Sequence, residues 1–180
     1  MRVEYVEVVT SENLEMIDGL ILPGGESSVM LNLLKAVGIQ SPLQEFLHSR
    51  PAWGICAGAI LMAKSVTNPG QLSFGSIDID VERNGYGRQL DSSNEEIDGY
   101  IVSYIRAPKI SRVGPQPKVF SKREGLPTWV ESPFSMITTF HPETNLNFPS
   151  PWHQRFAEKC EIMQLKNNEP RVCDSVSKAM

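Results

Sequence analysis

Val3 to Val9 alternates as V-E-Y-V-E-V-V, the period-two pattern of a half-buried strand. Residues 12–18 are polar and read as a short helix or loop. Gly19-Leu20-Ile21-Leu22-Pro23 is a short apolar run closed by proline and two glycines. It predicts a buried strand, then a turn over Gly24-Gly25-Glu26-Ser27-Ser28, with Ser27 or Ser28 capping the next helix. From Val29 to Val37 the apolar residues recur at helical spacing, and Gly38 predicts the stop. Pro42 to His48 reads as another short helix. Ala52 to Ile55 predicts a strand, and Ala57 to about Lys64 a helix, with loop over residues 65–73. Further strands are predicted over Phe74–Asn84, Tyr100–Ala107 (ending at Pro108), Lys118–Ser121, Thr128–Glu131 and Met136–Phe140. Trp152 to Gln164 is amphipathic, and residues 165–180 read as a polar, disordered tail.

Short strands alternating with helices predict an α/β fold, a three-layer arrangement with a mostly parallel sheet flanked by helices. In such sheets the functional groups gather beyond the carboxyl ends of the strands. Three segments fall there: Gly24-Gly25-Glu26, Cys56 and His141-Pro142-Glu143.

Gly54-Ile55-Cys56-Ala57-Gly58 has the form G-x-C-x-G between a predicted strand and a predicted helix. A cysteine on such a turn has a strained backbone and an exposed sulfur near a helix N-terminus, which favours the nucleophilic thiolate. The flanking glycines let the chain bend without Cβ clashes. A lone cysteine is more often a small buried hydrophobe, so the reading needs a base. His141 follows an apolar strand, Pro142 turns the chain, and Glu143 can accept the imidazole N–H, fixing the tautomer that takes a proton from Cys56. Backbone N–H groups at Gly25 and Ala57 are the candidate oxyanion donors.

A chain of 180 residues suits one domain, and its net charge of −4 argues against nucleic acid or an anionic membrane as partner. No apolar run approaches the roughly 20 residues of a bilayer-spanning helix. The opening residues do not read as a signal peptide. The three cysteines, Cys56, Cys160 and Cys173, form no disulfide framework and suit a reducing cytoplasm. There is no C-x-x-C and no H-E-x-x-H, so neither a metal nor a cofactor is expected.

Five segments occur in order: Pro23-Gly24-Gly25-Glu26-Ser27-Ser28, Trp53 to Gly58, Val81-Glu82-Arg83-Asn84-x-x-Gly87-Arg88-Gln89, Ile105-Arg106-Ala107-Pro108 and Phe140-His141-Pro142-Glu143. Together they resemble the glutaminase subunits of pyridoxal 5′-phosphate synthase, the PdxT/SNO family, within the class I (triad) glutamine amidotransferases. The resemblance runs from about Val3 to Cys160 and implies a flavodoxin-like amidotransferase domain over residues 1–164. It implies glutamine hydrolysis to glutamate and ammonia through a thioester on Cys56, with His141 and Glu143 completing the triad. It places glutamine against Gly25, Glu26, Ser27, Arg83, Ile105 and Arg106. It implies docking to a barrel-shaped synthase subunit that uses the ammonia in vitamin B6 biosynthesis.

The chain departs from that family in three ways. Met1 aligns with the start of the family's second strand, so the first strand, its Leu-Gln-Gly turn and its helix are expected to be missing and turnover to be impaired. Ile55 stands where the family has Thr. The segment beyond Cys160 has no counterpart. Rival readings are a different triad amidotransferase, a protease-like cysteine hydrolase, and a non-catalytic regulatory subunit. Arg83-Asn84 and Ile105 to Pro108 oppose the first, and Ala57 opposes the second because a histidine is expected there. The expected loss of the first strand keeps the third open.

Overall fold

The computed structural model describes residues 3–85, 92–145, 147 and 149–168. The elements in chain order are α1 (Ser11–Glu15), β1 (Leu20–Leu22), α2 (Ser27–Ala36), α3 (Gln40–Ser49), β2 (Ala52–Ile55), α4 (Ala57–Met62), β3 (Ala63–Thr67) and β4 (Ile77–Glu82). They continue with β5 (Ser93–Ile97), β6 (Tyr100–Tyr104), β7 (Lys109–Val113), β8 (Lys118–Arg123), β9 (Leu126–Glu131), β10 (Ser135–Thr138), a 3-10 turn (Pro142–Thr144) and α5 (Pro151–Asn168).

The main sheet has the order β1-β2-β10-β9-β8. β1 and β10 flank β2 in parallel, with Leu22 level with Gly54 and Ile137 also level with Gly54. β9 and β8 complete the sheet in antiparallel sense. The sheet is therefore mixed, and its parallel part is the three strands that end at the segments singled out above. β2 and β10 are buried at every position. Their alternate side chains enter two cores: Ala52 and Ile137 join the apolar cluster with Leu43, Leu47 and Leu61, while Trp53, Ile55 and Met136 join Phe140, Trp152 and Phe156. Burial on both faces is why these strands read as continuous apolar runs. Two smaller sheets, β3-β4-β7 and β5-β6, lie alongside.

Several boundaries differ from expectation. Val3 to Val9 is not a strand, and most of it is exposed. Alternation makes a strand possible, but hydrogen bonds to a neighbour make it one, and no described strand lies beside this segment. β1 likewise has a paired neighbour on one side only. α2 is capped by Glu26, whose carboxylate accepts from Ser28 N–H at 3.4 Å, rather than by Ser27 or Ser28. The helix after Cys56 stops at Met62, and residues 63–67 form β3 against β4 instead of a loop. α5 runs four residues beyond Gln164 into the expected tail, to Asn168. The rest of that tail lies outside the described residues.

Candidate active site

The link between β2 and α4 is a single residue. Cys56 has φ 49° and ψ −99°, a region that side chains with a Cβ rarely occupy. Its backbone is held on both sides: its N–H donates to Thr138 O at 2.8 Å, and its carbonyl accepts from Ile60 N–H at 3.3 Å. The flanking glycines act by close approach. A Cβ on Gly54 would lie 2.6 Å from the Gly58 carbonyl carbon, and one on Gly58 would lie 2.2 Å from Leu22 O. The turn therefore needs the glycines for packing, and the positive φ falls on the cysteine itself. The expectation of an exposed sulfur is corrected: Cys56 is only 7% exposed, because α4 and the Ile105 segment close over it. Its thiol contacts Ile105 O at 3.9 Å and lies close enough to the His141 ring to bear on its protonation.

His141 lies three residues beyond β10, the direct parallel neighbour of the strand that carries Cys56. Its backbone is bridged to β6, its N–H donating to Ser103 O at 2.8 Å. Pro142 then opens the 3-10 turn, which carries Glu143 back toward the ring. Nδ1 of His141 donates to Glu143 Oε1 at 2.8 Å, leaving the opposite edge of the ring for the thiol. The other face is set by Gly24, where a Cβ would lie 2.3 Å from His141 Cε1. Burial pushes the imidazole pKa down, but the hydrogen bonds from Cys56 and Glu143 outweigh it and raise the pKa to about 9. Burial raises the Glu143 carboxyl, and the His141 hydrogen bond overcomes this to leave it below its ordinary value.

The structure brings the other predicted residues to the same end of the sheet. Gly25 takes φ +144° beside Glu26. Arg83 at the end of β4 donates to Glu26 Oε1 at 2.8 Å, and Ser28 Oγ donates to the same oxygen at 2.9 Å. Ser28, with Arg83 and Arg106 beyond it, holds the Glu26 carboxyl below its usual range. Arg106 has φ 46°, a left-handed residue directly after Ile105. Ser27 is buried and donates to Gln71 Oε1 at 2.9 Å. Ala57 begins α4, so its N–H has no partner within the helix. Gly87, Arg88 and Gln89 lie outside the described residues.

Sequence reasoning did not single out Gln71, Ser103 or His153 as site neighbours, and it read Trp53 only as the start of the cysteine segment. Trp53 donates from Nε1 to Thr138 Oγ1 at 3.1 Å, tying the cysteine strand to the histidine strand. Its position three residues before Cys56 was the available signal; the others are joined only by tertiary contacts. Among the described residues, no group of three or more His, Cys, Asp or Glu could hold a metal ion.

A cysteine on a strand–helix elbow, facing a histidine–carboxylate pair across a parallel strand, defines an α/β protein of the elbow-cysteine class. The model of the SNO glutamine amidotransferase family matches residues 1–162, and the chain belongs to that family. It is 46% identical over 144 residues to "Pyridoxal 5′-phosphate synthase subunit PdxT" of Solibacter usitatus (strain Ellin6076), covering 73% of this chain and 75% of the relative. The subunit of the same description from Koribacter versatilis (strain Ellin345) is 44% identical over 146 residues, covering 78% of this chain and 76% of the relative. Among solved structures, a glutamine amidotransferase superposes with a TM-score of 0.78 at 34% identity, covering 88% of this chain and 87% of the other.

Proposed function

We propose that this chain hydrolyses L-glutamine to glutamate and ammonia, and passes the ammonia to a pyridoxal 5′-phosphate synthase subunit for vitamin B6 synthesis. The observation that carries the reading is the Cys56 elbow at the end of β2 beside the hydrogen-bonded His141–Glu143 pair that follows the adjacent parallel strand. The names of the relatives support a pyridoxal 5′-phosphate synthase as partner, and the barrel shape of that partner is what the family resemblance implies. The sparse cysteines support a cytoplasmic setting. No helix among the described residues is long and apolar enough to cross a membrane.

Cys56 gives its S–H proton to His141, and its sulfur attacks the side-chain amide carbon, forming a C–S bond and a tetrahedral oxyanion. The N–H groups of Gly25 and Ala57 receive that charge. His141, protonated through its contacts with the thiol and Glu143, gives a proton to the departing nitrogen, and ammonia leaves a thioester. Acylation removes the sulfur that helped hold the proton on the ring. The imidazole then takes a proton from water, whose oxygen attacks the thioester; the C–S bond breaks, the proton returns to the departing sulfur, and glutamate leaves. Glu143 orients the ring throughout.

The substrate's α-carbon carries one positive and one negative group. The Glu26–Arg83 pair, with Arg106 beside it, offers the complementary charges. Ser27 and Ile105 border the same space. Ammonia set free in water is protonated and lost as a nucleophile, which gives docking to the synthase its chemical purpose.

Two measurements test this reading. Ammonia release should occur with L-glutamine and fall at least tenfold with L-asparagine, whose amide is one methylene short of the thiol; equal rates would contradict it. With glutamine, kcat/KM should fall on the alkaline side as pH rises through about 9, where the His141 proton is lost. The stability linkage has the same sign. The raised imidazole pKa stabilises the fold fully below about 6.5, and the contribution disappears as pH rises through about 9.

A further inference from the structure

The loop between β3 and β4 is pinned at both ends. On one side Arg83 N–H donates to Thr67 O at 3.0 Å, Asn84 N–H donates to Asn68 O at 3.1 Å, and Asn68 Nδ2 donates to Asn84 O at 3.4 Å. On the other side Phe74 N–H donates to Leu61 O at 2.7 Å, and Gly75 N–H donates to Ala63 O at 3.1 Å. Gln71 stands between these anchors and is half-buried. Its Oε1 accepts from Ser27 Oγ at 2.9 Å. Ser27 is the first residue of α2 and is buried. The Nε2 end of the same amide is buried and has no hydrogen-bond partner among the described residues, so the grip of this amide falls on Ser27.

One loop thus holds both halves of the charge pair at the site. Its backbone fixes Arg83 and Asn84, directly after β4. Its Gln71 side chain fixes Ser27, directly after Glu26. Glu26 and Arg83 meet at 2.8 Å, but the Glu26 side chain is 48% exposed. An ion pair that open to solvent imposes little geometry by itself, because screening weakens it and both long side chains have other rotamers. Where the two charges stand is set by the backbones that carry them. The Ser27–Gln71 bond, shielded from water at its Ser27 end, is the side-chain contact that sets the start of α2 against the loop bound to Arg83.

We propose that Gln71 is a positioning residue for substrate binding: through Ser27 it holds the start of α2 at a fixed spacing from Arg83, so that Glu26 and Arg83 stand ready for the charged groups on the α-carbon of an amino acid. Those groups are remote from the amide bond that breaks and keep their charges throughout the reaction. Misplacing their partners weakens ground state and transition state alike, which raises KM and leaves kcat unchanged. The inference rests on the glutaminase reading above.

The experiment is a double-mutant cycle on ammonia release from glutamine, with a pyridoxal 5′-phosphate synthase subunit present, using the full chain, Gln71→Met, Ser27→Ala and the two changes combined. Methionine keeps the length and shape of glutamine and removes both polar atoms. Gln71→Met should raise KM for glutamine at least threefold with kcat within twofold of wild type. Ser27→Ala, which removes the other end of the bond, should show the same split, so the proposal can fail on that small change alone even if Gln71→Met does not fold. In the combined variant KM should stay within twofold of Ser27→Ala, because Gln71 has nothing left to act through. A KM in Gln71→Met or Ser27→Ala raised less than threefold overturns the proposal, as does a loss confined to kcat, or two effects that multiply in the combined variant. Each of those results leaves the glutaminase reading standing. A wild-type chain that releases no ammonia from glutamine defeats that reading, and this inference with it.

Discussion

Cys56→Ala is expected to lower ammonia release from glutamine by about 10³-fold or more, because no second group stands where the C–S bond must form. The thiol is small and buried, so the change removes little packing. The alanine inherits the same φ of 49° and the same backbone hydrogen bonds to Thr138 and Ile60. Stability should therefore shift by no more than about 1 kcal/mol, within the range of a conservative core change. Loss of turnover with an unchanged melting temperature would separate chemistry from folding. His141 supplies an internal check. Without the sulfur, its hydrogen bond to Glu143 remains but its hydrogen bond to Cys56 is gone, so its pKa should fall below about 9 in Cys56→Ala.

Gly58→Ala is expected to have the largest effect on the fold. The new Cβ would lie 2.2 Å from Leu22 O and 2.9 Å from the Leu22 carbonyl carbon. These are backbone atoms of β1, held in register with β2, so neither can swing away as a side-chain tip could. Forcing α4 off β1 costs about 3 kcal/mol, the upper part of the usual overpacking range. Alanine's better helix propensity returns about 1 kcal/mol. The clash wins, and the net loss of about 2 kcal/mol should lower the melting temperature by about 4–8 °C. Gly70→Ala is the control: its Cβ would meet Val66 O at an ordinary 3.5 Å, and its melting temperature should stay within about 2 °C of wild type. A Gly58→Ala protein as stable as the control would show that the elbow is not packed as described.

How far the fold was legible depended on whether the signal was local. β2, its one-residue turn and α4 could be read because an apolar run, two glycines and a second apolar run follow each other directly. β3 could not, since Ala63-Lys64-Ser65-Val66-Thr67 continues a helix with no breaker between them, and only pairing with β4 makes it a strand. β5 was missed because Ser93-Asn94-Glu95-Glu96-Ile97 has little apolar content. The better clue was Asp98-Gly99, whose φ values of 51° and 80° give the doubly left-handed hairpin turn that this dipeptide favours. Glu124-Gly125, at 50° and 81°, joins β8 to β9 in the same way.

The site shows the same division. Cys56, His141 and Glu143 were readable because each stands at or just after a strand end with its own turn chemistry. Gly24 was readable as a turn but not as the surface on which the His141 ring rests. The Ser27–Gln71 hydrogen bond joins residues 44 apart, and the Trp53–His153 contact joins two elements with no shared pattern. Such contacts follow from packing α5 and the loop after β3 onto the sheet, and no spacing rule encodes them.

The central claim is that the sulfur of Cys56 is the atom that bonds to glutamine's amide carbon. A chloroketone that copies the glutamine side chain, followed by peptide mass spectrometry, tests it most directly. The adduct should form on Cys56, be suppressed by excess glutamine, and be absent from Cys160 and Cys173. Equal labelling of the three cysteines, or a glutamine-protected adduct on any residue other than Cys56, would contradict it.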